Sequence, residues 1–200
     1  MGSSAISFEM EVNAPYSLNY LIFMQNIYLN QFRESGNRPL FPYIDHSKWG
    51  IIGPSQFRES FRKVWYEEVR KSTEDWRFGH KKIFCSEKDY FPTLYETNKK
   101  GEDGFQESIL AFSAWWDSIA GKIAIEKVFD DENMQKLYLE LSSEARTTET
   151  HNRLKIDLIF DKIRLSDFTC APWYSVVSIE DIFLKDRRTE LIKNLALLIS

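Results

Sequence analysis

Leu154-Lys155-Ile156-Asp157-Leu158-Ile159-Phe160, LKIDLIF, decides the fold class of this chain. Leu154, Ile156, Leu158 and Phe160 recur at every second position, the period of a strand with one face buried. Lys155 and Asp157 then fall on the opposite, wet face. The phase flips around Asp161-Lys162, so a bulge or a turn interrupts the strand. Upstream, residues 131–144 fit two periods: Leu137, Leu139 and Leu141 alternate, whereas Met134, Leu137, Tyr138 and Leu141 have helical spacing. Acids at 130–132 followed by strong helix formers favour a helix. The polar run 146–152 reads as the loop between helix and strand.

Downstream, a short strand at 173–178 follows Pro172. The chain closes with an amphipathic helix carrying Leu191, Ile192, Leu195, Leu198 and Ile199. At the other end, Ile6, Phe8, Met10 and Val12 alternate with Ser7, Glu9 and Glu11, a second one-faced strand. After Pro15 the spacing turns helical from Leu18 to Phe32, with Gly36 as the stop. Residues 36–55 hold three prolines and three glycines and read as a long irregular connection, packed down by Phe41, Tyr43 and Trp49. A second helix spans about Ser55 to Ser72. A third begins near Asp103, with Gln106 completing a capping box. Its seam is Phe105, Ile109, Phe112, Trp116, Ile119 and Ile123.

Few strands and several helices without regular alternation predict an α+β fold. The expectation is a single domain over residues 1–200, with a small sheet packed against a layer of helices. A central hydrophobic helix is expected near 104–128, and residues 1–5 stand outside the fold argument. The composition, 43% hydrophobic and 15% aromatic, is that of a globular chain able to bury a sizeable core. Cys85 and Cys170 are far apart and outside any CxxC, so both are read as reduced, buried thiols of a cytoplasmic protein. The first residues lack the charge and apolar run of a secretory signal, and no apolar run is long enough to span a bilayer, so no membrane partner is expected.

The net charge of −4 is unevenly spread. Residues 57–82 carry eight cations against five acids, and residues 83–144 carry six against thirteen. A polyanion would therefore be met by a local patch and not by the molecule as a whole. On the second helix, Phe57, Phe61, Val64, Trp65 and Val69 form one apolar sector. Arg62, Lys63, Tyr66 and Arg70 lie away from it, with Glu59 and Glu67 at the spacings that favour ion pairs. Trp76, Arg77, Phe78, Gly79, His80, Lys81 and Lys82 follow without an acid. Rings stack on bases and cations meet phosphates, so this interleaving suits single strands or nucleotides. The ordinary alternative is a loop whose rings anchor it to the core.

Other motifs are mostly negative. There is no phosphate-binding GxxxxGK[ST] loop, no GxGxxG fingerprint and no GxSxG nucleophile elbow. Gly101-Glu102-Asp103-Gly104 has GxxG spacing, but its acids would repel phosphate, so it reads as a polar turn. His46, His80 and His151 are far apart, and neither a metal nor a cofactor is expected. The leading expectation is a non-enzymatic binding protein whose ligand is nucleic acid or a nucleotide. Its surface would be Arg62, Tyr66, Arg70, Trp76, Arg77, Phe78, His80, Lys81 and Lys82. An alternative is an assembly module, a homo-oligomer joined through Leu191, Leu195, Leu197 and Leu198 of the last helix. A third is a metal-dependent hydrolase or nuclease using strand carboxylates, Asp157 and Asp161, with Asp167, Glu140, Glu144 or His151 nearby and Lys155 or Lys162 beside them.

Overall fold

The computed structural model describes residues 8–33, 38–74, 90–118, 121, 130–144 and 153–199. The order of elements is β1 (Glu9–Asn13), α1 (Tyr16–Asn30), α2 (Pro54–Glu74), a 3-10 turn (Phe91–Leu94), α3 (Lys99–Trp116), α4 (Asp131–Glu144), β2 (Arg153–Ile159), β3 (Cys170–Ala171), β4 (Tyr174–Ser178), α5 (Ile179–Phe183) and α6 (Lys185–Leu198). The α+β class holds. The ambiguous stretch at 131–144 is a helix, and LKIDLIF supplies a strand.

The sheet runs β1-β2-β4-β3. β2 pairs in parallel with β1 on one side and with β4 on the other, while β3 closes one edge antiparallel to β4. Parallel strands need covered faces, because their crossovers carry helices over the sheet. Helices here cover both faces and not one. Leu154, Ile156 and Leu158 pack with Leu137 and Leu141 of α4 and with Leu195 of α6. Ile159, Tyr174 and Val176 pack with α1, α2 and Phe112 of α3.

The helix expected near 104–128 is described over Lys99–Trp116, with 119, 120 and 122–128 outside the described residues, and the most deeply buried helix described is α1. Every residue from Tyr16 to Tyr28 is buried, as a helix apolar on all sides demands. Its polar residues are bonded inside. Asn19 donates to Leu158 O at 2.8 Å, and Gln25 Oε1 accepts from Arg164 N and Leu165 N. Helix α3 begins at Lys99, with the Asn98 side chain accepting from Gly101 N at 3.0 Å, so the expected capping box at Asp103 is not the start. The GxxG spacing is no turn either. Gly101 and Gly104 lie inside α3, where an added Cβ would come within 1.9 Å of Glu96 O and 1.8 Å of Trp49 O, respectively. The two glycines let α3 lie directly against neighbouring backbone.

Candidate functional site

Pro54 opens α2, a position where its missing N–H costs nothing. Phe57, Phe61, Val64, Trp65 and Val69 are buried as their spacing requires, and Trp65 Nε1 donates to Phe168 O at 2.7 Å. The opposite side of the helix presents Arg62, Lys63, Tyr66 and Glu67. With Tyr90 they line an open cleft of about 400 Å³.

Both rings in the cleft are half exposed, Tyr66 at 46% and Tyr90 at 47%. The Tyr66 ring is propped against Phe168, with centroids 4.9 Å apart. Lys71 Nζ stands 6.0 Å from the centre of the Tyr90 ring, within cation–π range. Arg62 Nε donates to Leu165 O at 3.1 Å, which fixes the base of the guanidinium. No carboxylate among the described residues pairs with Arg62. Lys63 pairs with Glu59 at 2.7 Å, but both are well exposed, so the pair holds little energy and opens easily. Arg70 differs. It lies between Glu67 and Glu74, at 2.9 and 2.5 Å, and these carboxylates hold its proton more tightly than usual. Its charge is therefore met within the helix.

The expected patch is thus only partly brought together. Arg62 and Tyr66 share the cleft, Arg70 is neutralised beside it, and Trp76, Arg77, Phe78, His80, Lys81 and Lys82 lie outside the described residues. Tyr90 was not anticipated. Its signal was a ring just before Phe91 at the start of a Pro-containing turn, too ordinary to single out.

A second polar group lies beneath the far end of α2. Asp157 is fully buried, not on a wet strand face. Its Oδ2 accepts from Tyr174 Oη at 2.9 Å, while Oδ1 is buried without a hydrogen-bond partner among the described residues. Burial raises its pKa from 3.8 to about 6, against the opposing pull of the Lys155 charge and the Tyr174 hydroxyl. Lys155 is buried too and donates to Ser72 O at 3.1 Å, in the last turns of α2. Glu68, also buried, holds Lys71 at 2.7 Å. Burial raises the pKa of Tyr174, with the neighbouring Asp157 carboxylate adding to it.

The remaining acids of the metal reading do not join Asp157. Asp161 ties a loop: its Oδ2 accepts from Asn26 Nδ2 at 2.8 Å, and its Oδ1 pairs with Arg164 at 3.0 Å. Glu140 pairs with Arg188 at 2.9 Å, joining α4 to α6 across the other face of the sheet. Asp167 and Glu144 are exposed, and His80 and His151 lie outside the described residues. Among the described residues no three His, Cys, Asp or Glu side chains come together as a metal site. Cys170 is a free thiol and exposed, where burial was expected, because β3 is a two-residue edge strand. Cys85 falls outside the described residues. Of the four leucines expected at an interface, Leu195 is core, Leu191 and Leu198 are half buried against the same cluster, and Leu197 is 75% exposed.

No protein-family model matches this chain, and neither the curated proteins nor the solved structures searched contain a match to it. Among the described residues no helix is long and apolar enough to cross a membrane.

Proposed function

We propose that this protein is a non-enzymatic binder of nucleic acid or nucleotides, acting through the cleft on α2. One observation carries the reading: two half-exposed tyrosine rings line one cleft with an arginine that no described carboxylate neutralises. Bases stack on Tyr66 and Tyr90, and phosphates meet the terminal nitrogens of Arg62 and the lightly held Lys63. Trp76 to Lys82 follow α2 in the chain and enter the proposal from sequence alone. The test is fluorescence anisotropy with labelled single- and double-stranded oligonucleotides at low and near-physiological salt, with mononucleotides as competitors. Single strands should bind with steep salt dependence. Arg62→Ala should lower the salt slope by about one, and Tyr66→Ala should weaken binding about tenfold. Efficient competition by mononucleotides would make the ligand a free nucleotide. Absence of binding at low salt would end the proposal.

A second reading, a homo-oligomeric assembly module, draws on Leu197. This side chain stands exposed on the rim of a hollow of about 530 Å³, whose lining includes Leu191, Leu198 and Val176. Leu197→Glu should then shift a concentration-dependent mass in light scattering to that of the monomer, and a monomer at every concentration would count against it. A cytoplasmic setting belongs to both readings, since an exposed free thiol such as Cys170 persists where thiols are kept reduced.

A further inference from the structure

The α2 cleft contains an acid as well as cations. Glu67 lines it together with Arg62, Lys63 and the two rings. A carboxylate is unwelcome where phosphate is to bind, and Arg70, shared with Glu74, meets part of the Glu67 charge. Arg70 Nε and Nη2 both donate to Glu67 Oε2, at 3.1 and 2.9 Å. Both bonds converge on one oxygen and leave Oε1 without a partner among the described residues. The side chain remains 27% exposed.

A free carboxylate oxygen in one cleft with two exposed rings can accept from hydrogen-bond donors on the edge of a base stacked there. Carboxylates accept from the exocyclic amine of cytosine, and unstacked bases offer that edge once splayed onto aromatic side chains. Uracil and thymine place a carbonyl oxygen where cytosine carries the amine. Against Glu67 Oε1 that oxygen sets two acceptors face to face, a repulsion that the carboxylate, having no proton to donate, cannot turn into a hydrogen bond at that position.

We infer that Glu67 is a specificity-determining residue of the cleft, accepting from the amino group of a base and favouring cytosine over uracil. The inference rests on the proposed nucleic-acid reading. Arg62 and Lys63 supply affinity without regard to sequence, and Glu67 supplies the choice.

The test compares labelled oligo(dC) and oligo(dU) of equal length by anisotropy, for the full chain and for Glu67→Gln. The two strands are both flexible pyrimidine polymers and differ only at the edge that Glu67 would read. The expected result is oligo(dC) bound about tenfold more tightly, with the difference falling below about twofold in Glu67→Gln, whose amide turns to donate or accept. Arg70 retains Glu74 in that variant, and an unchanged melting temperature confirms an intact helix. Equal affinity of the unmodified protein for both strands, or tighter oligo(dU), overturns the inference while the binding reading stands. A cytosine preference that survives Glu67→Gln overturns the role of Glu67. Binding of neither strand at low salt overturns the reading beneath it.

Discussion

The two faces of β2 solve the same problem with different chemistry. Towards α4 and α6 the strand offers Leu154, Ile156 and Leu158, all buried in an apolar cluster. Towards α1 and α2 it offers Lys155 and Asp157, also buried, beside Tyr174 and the last turns of α2. The first face is stabilised by removal of apolar surface from water. On the second, ions are desolvated, and attraction to neighbours offsets only part of that cost. Burial alone therefore does not measure what a side chain contributes; the sign depends on what is buried.

The comparison breaks most visibly on the apolar face. Ile156→Ala should destabilise by roughly 4 kcal/mol, because the methylenes are lost and a cavity remains between sheet and helices. Urea unfolding monitored by tryptophan fluorescence measures it. A cost below about 1 kcal/mol would mean that α4 and α6 do not close on this face.

Asp157→Asn probes the polar face, and its effect depends on pH. The folded pKa, about 6, lies above the ordinary value of 3.8, so the native state binds this proton more tightly than the unfolded chain. The stabilisation is complete below about pH 4 and is lost as pH rises through 6. The asparagine variant never ionises and escapes that loss. Relative to the unmodified protein it should gain about 2 kcal/mol between pH 4.5 and 7.5. The groups facing Asp157 are Lys155, Tyr174, Ser72 and Glu11, with Glu68 acting on Tyr174 beside it. A stability difference independent of pH would show a carboxyl that titrates like an exposed one.

This contrast also marks the limit of legibility. The period of LKIDLIF placed a strand, since period follows from local backbone geometry, while at 131–144, where two periods fitted, the leading acids and strong helix formers placed the helix. What the period could not show was a second helical layer. Alternating polar residues signify a wet face only when nothing covers them, and α2 covers Lys155 and Asp157 from far away in the chain. The burial of α1 on several sides was half legible: Phe23, Met24 and Ile27 are apolar and lie off the stripe of Leu18, Leu21, Ile22, Gln25, Tyr28 and Leu29. GxxG was visible as a spacing, yet its meaning depended on the Trp49 and Glu96 carbonyls packed against α3. In the cleft, Arg62 and Tyr66 were legible because they leave the apolar sector of a helix. Tyr90 was not, because it arrives from another segment.

A comparable effect sharpens the account of the polar face. Lys155→Met removes the charge that offsets Asp157 and leaves a buried carboxylate uncompensated. At pH 7 the variant should therefore be destabilised by roughly 2 kcal/mol, a cost that shrinks as Asp157 protonates at lower pH. It should also move the Asp157 transition to higher pH, because the Lys155 charge is the strongest force now holding that pKa down. A transition left unmoved would place the two groups outside each other's field.

The smallest effect is expected on the outer side of α2, at Lys63. Its pair with Glu59 is short, 2.7 Å, but both side chains are about 70% exposed, so water competes for each charge and salt screens the remainder. Lys63→Ala should change stability by no more than about 0.5 kcal/mol. In the proposed complex the same lysine leaves Glu59 for a phosphate, so the variant should lose affinity and flatten the salt dependence by about one counterion. Loss of stability without loss of binding would invert the assignment and make the cation part of the helix alone. Loss of binding at constant stability would separate the cleft from the two faces of β2, where neither burial nor charge can change without the fold responding.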